Sequence, residues 1–213
     1  MNKGQRSTIL INLLDSLASR GSWCGETHIQ KAAFLLQEAA KVQTGFNFIL
    51  YKHGPFSFEL RDSLAELAAE GLIDYIVRDP NYGPSVVVTD ESRDFLERFP
   101  KTEKKHAKQV EFVAKFVGKR NVAELERIGT AVFLVRRSDN IDPDDRASEI
   151  VALKPHVSIP DAKEAVCEAE KLMLASEKEF KGRKWKTSSL RHRLRDADGC
   201  HHFDFQLVVH SCS

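Results

Sequence analysis

Lys31 and His53 are the two side chains whose surroundings most invite chemistry in this 213-residue chain. Lys31 lies in Thr27-His-Ile-Gln-Lys-Ala-Ala-Phe-Leu-Leu-Gln37, and His53 in Tyr51-Lys-His-Gly-Pro-Phe-Ser-Phe-Glu-Leu60. If the two blocks pack together, Lys31, His53 and the free N–H groups of a helix opening at Ser57 form a corner suited to an anion or a partner's carboxylate. The alternative role is structural: Gly54-Pro55 turns the chain, and Gln30 and Lys31 satisfy nearby carbonyls. Cys24 and His28 are spaced four residues apart, like a nucleophile and its base. They straddle a helix start with no third group to orient them, so an inert cysteine is the better reading. Cys200, His201, His202, His210 and Cys212 are metal-ligand types without the paired spacings of a zinc site. Asp139, Asp142, Asp144 and Asp145 lack the spacing and central glycine of a calcium loop, and helix capping explains them. Phosphate-loop, dinucleotide, nucleophile-elbow and zincin motifs are absent. The expectation is a non-enzymatic protein with no catalytic residue, no metal and no cofactor.

The elements that position these residues follow from periodicity. Leu10, Leu13, Leu14 and Leu17 fall on one face of a first helix that Gly21 stops. Thr27 is placed to cap a second helix running to about Val42, with Ile29, Ala33, Leu36 and Ala40 inward. Phe46, Phe48 and Leu50 alternate in a short strand that Gly54-Pro55 breaks. Ser57 caps a third helix with Leu60, Leu64, Leu67 and Ala68 inward, ending at Gly71. Two β-branched runs around Asp79-Pro-Asn-Tyr-Gly83 make a hairpin. Thr89 or Asp90 opens a helix to about Phe99, and Pro100 terminates it. Residues 101–180 read as helical throughout, with starts at Asp142-Pro143 and at Ser158.

The expected fold class is therefore α+β, mainly α. A winged-helix-like module occupies 1–100, a helical extension packed on it occupies 101–180, and a basic, His-rich tail occupies 181–213. In the winged-helix layout the second and third helices form the helix-turn-helix pair and the hairpin is the wing.

Charge sorts the function classes. The chain carries 32 Lys and Arg against 31 Asp and Glu, a net of +1, which excludes a generally basic nucleic-acid coat. The balance is uneven: residues 1–100 carry 10 bases and 13 acids, and residues 101–213 the remaining 22 and 18. The helix at the recognition position holds Glu59, Asp62, Glu66 and Glu70 against Arg61, which opposes insertion between phosphate rows. The tail reverses this: Lys181, Arg183, Lys184, Lys186, Arg191, Arg193 and Arg195 surround Trp185, a composition suited to phosphates and unpaired bases. No apolar run approaches the roughly 18 residues that span a bilayer, and the N-terminus lacks a signal-peptide core. The chain reads as cytoplasmic, with no membrane partner. Four scattered cysteines make no disulfide scaffold.

Two sequence blocks, Ile29-Gln-Lys31 within its helix and Gly54-Pro-Phe-Ser57 opening the next, resemble the YwgA-like prokaryotic proteins. More distantly they resemble the Panacea (SocA-like) antitoxin domain. Leu153-Lys-Pro-His156 before a Ser-started helix resembles the C-terminal part of YwgA-like chains. The resemblance covers roughly residues 5–178, and Ile29 and Phe34-Leu-Leu36 depart from the Panacea pattern. It implies a regulatory protein that binds another protein, through toxin neutralisation or defence. It makes Gln30, Lys31, His53, Gly54, Pro55, Phe56 and Ser57 the family-motif and partner-binding candidates. A second reading is a winged-helix DNA-binding regulator that uses the basic tail, residues 181–195, for nucleic acid. A third is an enzyme with a dispersed site. Val132, Phe133 and Val135 exceed what one amphipathic stripe needs, so the extension offers a homodimer surface or a satellite core.

Overall fold

The leucine stripe at 10, 13, 14 and 17 lies inside α1 (Lys3–Ser19), and all four leucines are buried. Asn2 starts this helix with a capping box, accepting from Gln5 N while the Gln5 side chain accepts from Asn2 N. The computed structural model describes residues 1–137 and 142–180. Eight helices and two antiparallel hairpins make up these residues. The fold is mainly helical α+β.

α2 (Glu26–Glu38) is the helix about which the rest is built. Every residue from His28 to Leu36 is buried, because α1, α5, α6 and a strand all press on it. A helix covered on all sides normally reads as continuously apolar. Here the covered run includes Gln30 and Lys31, which must find partners inside the protein. α2 begins one residue before the expected cap: Gly25 takes the N-cap place without a side-chain hydrogen bond. It ends at Glu38, short of Val42, because Lys41 adopts a left-handed φ of 60°.

The predicted strand at 46–50 is displaced. β1 (Ile49–Tyr51) pairs with β2 (Gly54–Phe56), so the segment expected to break the strand forms its partner. Tyr51 faces Gly54 and Leu50 faces Pro55, leaving Lys52 and His53 as a two-residue turn. Gly54 supplies the positive φ, 83°, that this tight reversal needs. Pro55 is tolerated because a two-stranded sheet leaves one N–H side unpaired.

Ser57 caps α3 (Phe58–Ala69) by accepting from Leu60 N, and Leu60, Leu64 and Leu67 face inward. β3 (Ile73–Ile76) and β4 (Ser85–Val88) form the second hairpin, with Ile73 opposite Val88. α4 (Glu91–Leu96) is short. Pro100 does not terminate it but opens α5 (Pro100–Val117), where its missing N–H costs nothing. α6 (Val122–Arg137), α7 (Pro143–Leu153) and α8 (Ile159–Glu179) complete the described chain. The predicted starts at Asp142 and Ser158 are the observed caps. α5 packs on α1, while α6 lies between α2, α7, α8 and β2. A single hydrophobic cluster runs from Leu13 and Leu36 through Val113 and Val132 to Ile150 and Ala169. Each buried Leu, Ile or Val of this cluster contributes about 1.5–3 kcal/mol relative to exposure.

Candidate functional site

Gln30 and Lys31 point from α2 into the β1–β2 hairpin. The Gln30 carboxamide embraces one residue: Oε1 accepts from Ser57 N at 2.9 Å and Nε2 donates to Ser57 O at 3.0 Å. Both partners are buried, so this pairing leaves no orphaned backbone group at the join between β2 and α3. Lys31, 1% exposed, donates from Nζ to Pro55 O at 3.1 Å. The two neighbouring side chains thus hold alternate carbonyls of the Gly54-Pro-Phe-Ser57 segment.

The hairpin closes against α6. A Cβ on Gly54 would stand 3.2 Å from Glu126 O and 3.4 Å from Thr130 Oγ1. A Cβ on Gly129 would meet Pro55 Cδ at 3.1 Å. Glycine at both places permits backbone and proline ring to approach closely.

Behind the hairpin lies a buried charge cluster. Glu126, from α6, is 6% exposed, and Lys154, just past α7, is also 6% exposed. Lys154 Nζ lies 3.3 Å from Glu126 Oε1. The ammonium is directed at two turn carbonyls, Tyr51 O at 2.8 Å and Lys52 O. Its contact with Oε1, which makes no hydrogen bond, is therefore one of charge. His53 Nδ1 stands 3.4 Å from Glu126 Oε2 and His156 Nε2 3.5 Å from Oε1, both rings being largely exposed. Lys154 thus meets the buried carboxylate directly, while the Lys31 ammonium, held on Pro55 O, feels its charge from further away. Burial lowers the Lys31 pKa from 10.5 to about 8; Glu126 opposes that shift and Lys154 adds to it.

Five of the seven family-motif candidates, Gln30, Lys31, Gly54, Pro55 and Ser57, come together in this lock. His53 sits at its exposed edge. Phe56 faces outward into a triangle of rings, with centroids 5.7 Å from Tyr51 and 5.1 Å from Phe58, and Tyr51 5.9 Å from Phe58. Tyr51 is 54% exposed and Phe58 43%, with Ile49 exposed beside them and the Arg61 guanidinium 5.1 Å above the Phe58 ring.

The sequence offers no candidate at Glu126, Thr130 or Lys154. Lys154 and His156 lie in the Leu153-Lys-Pro-His156 block. Glu126 sits in an ordinary amphipathic helix and had no local signal.

The other chemical pairings do not assemble. Cys24 is buried, its thiol directed at Leu14 O, and burial raises its pKa, which disfavours the reactive thiolate. His28 Nε2 instead lies 2.9 Å from Arg120 O. Asp142 caps α7 and Asp144 pairs with Lys163. Among the described residues no group of three His, Cys, Asp or Glu side chains is placed to hold a metal. None of the described helices is long and apolar enough to cross a membrane. Lys181, Arg183, Lys184, Trp185, Lys186, Arg191, Arg193 and Arg195 lie outside the described residues, as do Asp139 and the Cys200–Cys212 group.

In comparisons with known proteins, no family model matches the chain and no curated protein matches it.

Proposed function

We propose that the protein is a non-catalytic regulatory protein that works by binding another protein, and that the partner seats on the Ile49, Tyr51, Phe56 and Phe58 surface. One observation carries this reading: an exposed aromatic cluster is mounted on a hairpin that buried side chains hold rigidly from behind. Rigid exposed aromatic residues flanked by an arginine are the composition of interface hot spots. They lose little conformational entropy on binding, because the hairpin is already ordered by Gln30, Lys31 and Lys154.

The buried charge cluster supports a structural rather than a catalytic role for Lys31. Its ammonium is covered and directed at a backbone carbonyl. The resemblance to YwgA-like and Panacea chains is consistent with this reading, with toxin neutralisation as one form of it. In the winged-helix reading, α2 and α3 are the helical pair and the β3–β4 hairpin the wing. The surface of α3 then carries four acids, Glu59, Asp62, Glu66 and Glu70, against Arg61 and the Lys3 that pairs with Glu66 and Glu70, and that excess opposes groove docking. The module on this reading is a protein-binding scaffold.

The test is affinity capture from the native host with the wild-type chain and with a Tyr51→Ser/Phe58→Ser variant. Both side chains are substantially exposed, so the variant folds as the wild type does, which circular dichroism and thermal melting check. The expected result is a stoichiometric protein recovered by the wild type and lost by the variant. Equal recovery by both, or no stoichiometric partner, would count against the reading.

A further inference from the structure

A second surface, separate from the aromatic triangle, has the build of a small-molecule site. A half-open cleft of about 940 Å³ lies between the start of α2, α3, the β3–β4 turn and the α5–α6 connection. That volume is at the upper end of the range for ligand sites, about 300–1,000 Å³. Trp23, Tyr75 and Tyr82 wall it. Trp23 is fixed by donating from Nε1 to Gly83 O at 3.1 Å, and its ring stands 5.8 Å from that of Tyr82. Next in sequence, Cys24 is held at φ 52°, the strained left-handed region for a side chain with a Cβ. The opposite wall is tied in place by the His28–Arg120 O contact.

The charged groups on the lining narrow the ligand. Arg61, Lys119 and Arg120 bring positive charge; Arg120 is paired with Glu168 and Arg61 lies 3.8 Å from Asp62, while Lys119 has no ion-pair partner among the described residues. Glu26 is the acid of the lining. Aromatic faces suit a planar base, a carboxylate acceptor suits a sugar hydroxyl or exocyclic amine, and cations suit a phosphate. A simple aromatic acid leaves Glu26 unused, and a sugar phosphate makes less of three aromatic rings than a planar base does. We infer that the cleft between Trp23, Tyr82 and Lys119 binds a free nucleoside phosphate, the base against the aromatic wall and the phosphate toward Arg61 and Lys119. Of the lining, Arg61 also borders the protein-docking surface, whereas Trp23, Tyr82 and Lys119 stand apart from it, and the variants at Tyr82 and Lys119 test the cleft by itself.

The probe is adenosine monophosphate, titrated against the full chain carrying Trp185→Phe, which leaves Trp23 as the sole tryptophan. The expected result is saturable quenching of Trp23 fluorescence. Affinity should drop about tenfold in Tyr82→Ala, through lost stacking, and fall in Lys119→Ala with a weaker salt dependence. Both side chains are exposed, so neither substitution unfolds the protein. Tyr51→Ser, on the other surface, should leave the titration unchanged. Adenosine and inorganic phosphate alone should each bind more weakly than the nucleotide. Absence of saturable quenching at millimolar nucleotide would overturn the inference. So would an affinity indifferent to both Tyr82→Ala and Lys119→Ala, or a response to an oligoadenylate strand with none to the mononucleotide.

Discussion

Gln30 holds Ser57 by both of its backbone polar atoms, at 2.9 and 3.0 Å, across 27 positions of sequence. The Ser57 hydroxyl meanwhile caps α3. One side chain of α2 therefore sets where β2 ends and where α3 begins. Gln30→Leu keeps the volume and removes both hydrogen bonds, leaving the buried Ser57 N–H without a partner, while Ser57 O keeps the bond from Arg61 N at 3.2 Å. One such orphan sets the expected loss in chemical denaturation on the order of 1–3 kcal/mol. A loss below about 1 kcal/mol would mean that Ser57 finds other partners once Gln30 is gone.

Lys31 gives stability a pH dependence of defined sign. Its folded pKa is lowered to about 8 from 10.5, chiefly by burial. Below about pH 8 both the folded and the unfolded chain hold this proton. Between there and 10.5 the folded chain has released it and the unfolded chain has not, so this contribution to stability rises with pH. Lys31→Met lacks the titrating group. The wild type should gain on this variant as pH climbs through that window, by an amount on the order of 3 kcal/mol. Denaturant midpoints of both proteins at several pH values measure it, and the subtraction removes the titration of Tyr75 and Cys24. A difference flat with pH would contradict the buried, charge-crowded setting of Lys31.

The close approach of hairpin and α6 predicts two glycine effects of different origin. Gly54→Ala places a side chain at φ 83° and drives its methyl toward Glu126 O. Strain and contact together should cost about 2 kcal/mol or more. Gly129 is helical, so alanine there improves helix propensity by roughly 1 kcal/mol while meeting the Pro55 ring. Gly129→Leu, far too large for the gap, should lose about 1–3 kcal/mol despite the better propensity. Thermal melting of the two variants separates the causes. A stabilised Gly129→Leu protein would show that the Pro55 contact is slack.

The caps of α7 and α8 act locally. Asp142 accepts from Asp144 N at 2.9 Å, and Ser158 accepts from Asp161 N at 3.3 Å. Asp142→Ala and Ser158→Ala should each cost about 1 kcal/mol, and their effects should add, since each satisfies its own helix end. A strongly non-additive pair would tie the two helix starts to a shared network.

These caps, with the Ser57 cap and the leucine stripes of α1 and α3, were legible in the sequence because they depend on residues three or four apart. The mainly helical α+β class followed from the same short-range periodicity. The strand was misplaced because β1 and β2 are stabilised from outside: Lys154 holds the turn carbonyls from more than a hundred residues away. Gly54-Pro55, read locally, ends a strand. Packed on Gly129 and held by Lys31, it becomes one. Polar residues inside a fully covered helix already required partners for Gln30 and Lys31. Which partners, and that Glu126 would be the buried carboxylate beside Lys154, were settled only when α2, α6 and the end of α7 met. Periodicity specifies which face of a helix is buried. The choice of what that face meets is made by long-range packing, which leaves no periodic trace in any one segment.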